Sequence, residues 1–180
     1  IGHRPINFHV EALEKMGVRI ERREHSYYAE ADKIYGASIE LSYPSVGATE
    51  NIILAAVLAD GETNIFHSAV EPEILNLIDM LNAMGAKISC DSTKRHIKIT
   101  GVSRLSGIKT TVMPDRNEIV SFAVAALATH GEVFMEDVAS SYLISFLEKL
   151  KECGAQFNLE GGGIKFWGGG NYRALNIETS

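Results

Sequence analysis

Apolar residues recur along this chain at helical and strand-like spacings. From Pro72, the positions Ile74, Leu77, Ile78, Leu81 and Met84 follow three- and four-residue steps and predict an amphipathic helix. Pro72 suits the first turn, where its missing N–H costs nothing, and Glu71 and Glu73 complement the positive end of the helix dipole. Gly85 can take the left-handed conformation that closes the helix. Residues 86–90 and 96–100 then read as two strands joined by the polar turn 91–95. The same order returns downstream. Leu143, Leu147, Leu150 and Cys153 form a helical stripe behind Ser140 or Ser141 as cap, and Gly154 ends it. Residues 156–159 and 164–167 repeat the strand pair.

This recurrence is an internal repeat. Leu13-Glu14-Lys15-Met16-Gly17-Val18 returns as Leu81-Asn82-Ala83-Met84-Gly85-Ala86 and, more loosely, as Leu150-Lys151-Glu152-Cys153-Gly154-Ala155. The glycines lie 68 and 69 residues apart. Residues 52–59 and 119–128 are related in the same phase, each leading into a Gly-Glu pair at Gly61 or Gly131. Both are apolar nearly all round, which predicts helices enclosed by other elements. A period near 70 suggests a repeated supersecondary block. The fold class expected is α/β, with short-stranded sheets covering enclosed helices.

Composition sets limits on function. The 180 residues are 46% hydrophobic and 22% charged, as in ordinary soluble domains, which argues against disorder, collagen and coiled coil. Lys and Arg total 17 against 23 Asp and Glu, giving a formal charge of −6. That balance argues against a duplex nucleic acid partner. The longest apolar runs are too short to span a bilayer, so no membrane partner is expected. Cys90 and Cys153 form no CxxC pair and read as reduced, buried thiols. The six His, at 3, 9, 25, 67, 96 and 130, show no metal-ligand spacing, so no metal site is expected. The opening Ile1-Gly2-His3-Arg4 carries neither Met nor a secretory signal, and suggests a piece of a longer chain.

Three stretches can carry chemistry. Tyr43-Pro44-Ser45-Val46-Gly47-Ala48-Thr49 joins a strand-like run (38–43) to an apolar helix. Its N–H groups and the Ser45 hydroxyl suit a phosphate; alternatively it is an ordinary turn with Ser45 or Thr49 as N-cap. It is not a Walker motif, since no GK[ST] follows. Arg4-Pro5-Ile6-Asn7-Phe8-His9 opens the first helical segment; Arg4 beside Pro5 suits stacking on a base or holding a phosphate, or is simply a solvated cation. Asp115-Arg116-Asn117-Glu118 precedes the second apolar helix and reads as charge complementarity at a helix start, or as a hinge or anion contact. The glycines at 161–163 and 168–170 flank a short strand and read as tight turns rather than phosphate loops. Trp167 reads as core or domain-contact packing.

These motifs together resemble a known family. Ile1-Gly2-His3-Arg4-Pro5, Pro44-Ser45-Val46-Gly47-Ala48-Thr49-Glu50-Asn51, Glu71-Pro72-Glu73-Ile74 and Pro114-Asp115-Arg116 occur in the order and spacing of the enolpyruvyltransferases. The chain resembles the middle portion of those acting on UDP-N-acetylglucosamine, and Ser45–Asn51 favours them over the shikimate-phosphate relatives. The resemblance implies an inside-out α/β barrel of repeated βαβαββ units. Residues 1–112 would be the later part of one barrel domain and 113–180 part of the second, the remainder of both lying outside this chain. It implies transfer of enolpyruvyl from phosphoenolpyruvate to the 3-hydroxyl of UDP-N-acetylglucosamine, in bacterial cytoplasmic peptidoglycan synthesis, without metal or organic cofactor. The substrate-binding residues it implies are Arg4, Pro5, Ile6, Asn7 and Phe8 near the uracil, and Tyr43, Pro44, Ser45, Val46 and Gly47 near the diphosphate. Asp115 and Arg116 would lie near the interdomain connection. Asn7 stands where the family usually has Asp. No catalytic residue falls within this chain: the family's Cys position lies two residues before Ile1, and neither Cys90 nor Cys153 matches it. A non-catalytic, sugar-nucleotide-binding paralogue is the alternative.

Overall fold

In the computed structural model, which describes residues 6–177, the chain divides into two compact units, the first reaching Val112 and the second beginning at Met113. The first contains helix α1 (Asn7–Lys15), strands β1 (Arg19–Arg22), β2 (Tyr27–Glu30) and β3 (Ser38–Glu40), and helix α2 (Val46–Ala56). Strand β4 (Glu62–Phe66), helix α3 (Pro72–Ala83) and strands β5 (Lys87–Asp91) and β6 (His96–Thr100) complete it. β1 and β2 pair as a separate antiparallel ribbon, with Arg19 opposite Glu30. The other four strands form one sheet ordered β3-β4-β6-β5. β3 runs parallel to β4, and a parallel neighbour needs a crossover, which α2 supplies. The run β3-α2-β4-α3-β5-β6 is therefore a βαβαββ unit, as the resemblance implies.

Alternation decides which face of this sheet is buried. In β6, Ile97 and Ile99 are fully buried, while Lys98 between them bonds Glu62 of β4 at 2.8 Å on the other face. That lysine, followed by the Asn64 amide, holds the Glu62 carboxyl below its ordinary range. Ile39, Ile65, Ile97 and Ile99 pack against Ile52 and Ile53 of α2 and Ile74, Ile78 and Leu81 of α3.

The second unit contains helix α4 (Arg116–Ala128), strand β7 (Glu132–Met135), a 3-10 turn (Ser140–Leu143), helix α5 (Ile144–Cys153) and strands β8 (Gln156–Glu160) and β9 (Gly163–Trp167). Its sheet order, β7-β9-β8, reproduces β4-β6-β5. Ile119, Ala123 and Leu127 of α4 pack with Leu147 and Leu150 of α5 and with Ile164 and Phe166 of β9. Gly161 and Gly162, at φ +56° and +80°, turn β8 into β9. Two successive positive φ values are what a tight hairpin of this twist requires.

The repeated glycines all do the same work. Gly17, Gly85 and Gly154 have φ of +92°, +102° and +84°. Behind each, two amides fold back onto the helix: Gly17 N–H to Glu14 and Val18 N–H to Leu13, Gly85 to Asn82 and Ala86 to Leu81, Gly154 to Lys151 and Ala155 to Leu150. This is the Schellman closure, which satisfies the last carbonyls while a small apolar residue turns back towards the core.

Several expectations are corrected. The apolar helices start earlier than 52 and 119, and among the described residues they are not covered all round by apolar packing. Leu54 and Leu58, and Phe122 and Val124, are exposed among the described residues. Neither Ser140 nor Ser141 caps α5; both sit in the 3-10 turn, and no side chain caps that helix. The strand expected over 38–43 stops at Glu40. Both cysteines are free but half-buried rather than buried. Trp167 is half-buried between Glu132 and Gln156, and Phe166 is the core aromatic. Gly163 belongs to β9, so its turn is carried by Gly161 and Gly162.

A Cβ on Gly85 would meet no atom within 4 Å, so the position isolates the backbone effect. Gly85→Ala is expected to destabilise the full-length protein by about 1–2 kcal/mol, the cost of placing an L-residue in the left-handed region. Denaturant unfolding measures it, and Gly85→Asn should lose less.

Candidate functional site

The turn entering α2 is built from its cap. Ser45 has extended backbone (φ −72°, ψ 120°), and its Oγ accepts the Ala48 N–H at 3.3 Å. Ser45 is thus the N-cap, and Thr49 is not. Accepting that bond leaves the hydroxyl proton free to donate outwards. The Ser45 carbonyl accepts from the Thr49 N–H at 3.0 Å and from Thr49 Oγ1 at 2.8 Å. Thr49 is fully buried, and its Oγ1 also accepts the Ala69 N–H at 3.0 Å. One hydroxyl therefore ties the first turn of α2 to the loop between β4 and α3. Val46 and Gly47 occupy the first two helical positions, where N–H groups have no intrahelical acceptor. The turn thus combines backbone donors, a free hydroxyl and the positive end of a helix dipole, which suits an anion.

α1 reaches this turn through one side chain. His9, half-buried, places its Nδ1 2.6 Å from the Asn51 amide nitrogen. Gly47 and Asn51 are one turn apart on α2, so both fall on the face towards His9. A Cβ built on Gly47 would lie 3.5 Å from His9 Cε1 and 3.8 Å from Nε2.

The structure places the expected residues as follows. Ile6 is the residue before α1, Asn7 its exposed first residue, and Phe8 packs half-buried against the first core. Tyr43 is exposed, and Val46 packs on the same core as Phe8. The stretches 6–9 and 43–51 are therefore brought together, through His9. Arg4 and Pro5 lie outside the described residues. Asp115 caps α4, its Oδ1 accepting the Asn117 N–H at 2.8 Å, and Arg116 is the first residue of that helix. Sequence reasoning missed His9 and Asn51 as partners; the available signal was only that each falls inside a motif already singled out. Among the described residues no group of His, Cys, Asp and Glu is arranged to hold a metal ion, and no helix is long and apolar enough to cross a membrane.

A family model described as EPSP synthase (3-phosphoshikimate 1-carboxyvinyltransferase) matches residues 1–177. The chain belongs to that family. Among curated relatives, this member of the EPSP synthase family is 45% identical to UDP-N-acetylglucosamine 1-carboxyvinyltransferase 1 of Caldanaerobacter subterraneus, over 99% of this chain and 43% of the relative. The enzyme named UDP-N-acetylglucosamine 1-carboxyvinyltransferase in Shewanella amazonensis is also 45% identical, over 100% of this chain and 43% of its own length. The chain thus spans less than half of these relatives. Among solved structures, the enolpyruvyl transferase NikO from Streptomyces tendae matches 92% of this chain and 42% of its own, with a TM-score of 0.78 at 18% identity. EPSP synthase from Acinetobacter baumannii matches 91% of this chain and 40% of its own, with a TM-score of 0.65 at 23% identity. These two likenesses concern the fold, and they agree with the α/β class.

Thr49→Val keeps the shape of the side chain and removes the hydroxyl, leaving the Ala69 N–H and one bond of the Ser45 carbonyl unmatched. A loss of about 1–3 kcal/mol is expected from the unsatisfied buried donor, read as a lower midpoint in denaturant unfolding of the full-length protein.

Proposed function

We propose that the full-length protein containing this chain transfers the enolpyruvyl group of phosphoenolpyruvate to the 3-hydroxyl of UDP-N-acetylglucosamine and releases phosphate. The observation that carries this is the 45% identity, along 99% of the chain, to a UDP-N-acetylglucosamine 1-carboxyvinyltransferase, an alignment long enough to include both site stretches. In this reading the start of α2 takes the diphosphate: the Val46 and Gly47 N–H groups and the Ser45 hydroxyl donate to its oxygens, beside Tyr43 and Pro44. Arg4 and Pro5 flank the uracil, with Ile6, Asn7 and Phe8 beside it. Asn7 replaces the family's usual Asp; its amide both donates and accepts, so it still offers a partner to a uracil edge.

The groups that handle phosphoenolpyruvate and supply the proton lie outside this chain, so these residues bind and orient the acceptor. In the same reading residues 1–112 belong to one barrel domain and 113–180 to the other, and Asp115 and Arg116 follow the boundary in sequence. The reaction would belong to peptidoglycan synthesis in the bacterial cytoplasm.

Calorimetric titration of the full-length protein with UDP-N-acetylglucosamine, followed by a phosphate-release assay with phosphoenolpyruvate, tests the reading. Binding and release are both expected. No binding at millimolar sugar nucleotide sinks it, and binding without release favours a non-catalytic sugar-nucleotide-binding protein. Arg4→Ala should weaken binding by about 1–3 kcal/mol, the scale of a hydrogen bond to a charged group. An unchanged Kd removes Arg4 from the site.

A further inference from the structure

We propose that Asn51 and His9 act as a positioning pair that presents one additional hydrogen-bond donor, His9 Nε2–H, to the diphosphate at the start of α2. The inference rests on the sugar-nucleotide reading above and assigns that site two residues it did not include.

The argument begins with the tautomer. The group facing His9 Nδ1 at 2.6 Å is the Asn51 amide nitrogen, which can only donate. With that nitrogen turned to the ring, Nδ1 accepts, and the neutral tautomer that accepts at Nδ1 carries its proton on Nε2. The adjoining ring edge, Cε1 and Nε2, lies beside Gly47, where an added Cβ would be 3.5 and 3.8 Å away. The proton fixed by Asn51 thus sits next to the first turn of α2, whose Val46 and Gly47 N–H groups have no intrahelical acceptor. Glycine at 47 places no side chain of its own against that ring edge. His9 is held by α1 and Asn51 by α2, so their bond also fixes where the two stretches meet.

The pair differs from a structural tie in what it predicts. Asn51 acts through the His9 proton, so its contribution should depend on the imidazole. Glutamine at 9 places an amide N–H2 near the Nε2 position and has no tautomer to set. Asparagine at 9 reaches only the Nδ1 position.

Titration of the full-length protein and its variants with UDP-N-acetylglucosamine, and with uridine by ligand-observed NMR, tests the proposal. Uridine keeps the base and ribose and lacks the diphosphate. His9→Asn should weaken the sugar nucleotide about tenfold, the worth of one hydrogen bond to a charged group, and leave uridine unchanged. His9→Gln should stay within about twofold of the unsubstituted protein. Asn51→Ala should lose about threefold to fivefold alone and little in the His9→Gln background, a coupling read by the double-mutant cycle. Equal loss for uridine and the sugar nucleotide would mark a purely structural role and overturn the proposal. So would a His9→Asn protein that binds normally, or an Asn51→Ala loss that persists undiminished with glutamine at 9. If the unsubstituted protein binds no sugar nucleotide, the functional reading fails and this inference fails with it; normal binding with indifferent variants overturns this inference alone.

Discussion

The buried hydroxyl of Thr49 fixes the geometry from which the candidate site follows. It has one proton to give, and gives it to the Ser45 carbonyl; it accepts the Ala69 N–H in return. At zero exposure no water competes for either bond. The start of α2 is therefore set against the β4–α3 loop by an interior contact rather than by the surface turn itself. Ala48, Ile52 and Ile53 then fall into the core, and the first N–H groups of the helix are left without intrahelical acceptors. A helix start held this way needs no side chain at 47 to stiffen it, which leaves room for His9.

What was legible in the sequence is what local chemistry decides. Gly17, Gly85 and Gly154 could be read as helix ends because the left-handed closure is a property of one residue and its two neighbours. Pro72 marked the first turn of α3 for the same reason. The ribbon of β1 and β2 was not legible: Tyr27–Glu30 is exposed at every position, so no alternation betrays it. The 3-10 turn before α5 was read as a capped start because Ser140 and Ser141 have cap chemistry, and only the packing of Leu143 shows otherwise. For the two apolar helices, the pattern reports how apolar a surface is and not what lies against it. Leu54 and Phe122 are exposed here although the pattern predicted enclosure.

The site divides along the same line. Ser45 could be named as a cap candidate from the turn alone, since capping spans three residues. The choice between Ser45 and Thr49 could not be made, because the partner that occupies Thr49 is 20 residues away. The His9–Asn51 bond crosses 42 residues and joins two helices that nothing in their own periodicity pairs. Contacts of that range depend on the whole unit folding, and they are where the candidate site acquires its second helix.

The two units also show how a repeated architecture can differ in chemistry. α2 and α4 follow a Pro-cap step in the same phase of the repeat, yet one cap is Ser45 and the other Asp115. An ionised carboxylate at a helix start satisfies an N–H and places a negative charge where an incoming anion would sit. A hydroxyl satisfies the equivalent donor, stays neutral and keeps a proton to offer. At α4 the capping group is a carboxylate followed by Arg116, and at α2 it is a neutral hydroxyl. The formal charge of −6 does not decide the matter, because screening at physiological salt limits exposed charges to about 8 Å. The two helix starts differ locally, in the chemistry of one capping side chain.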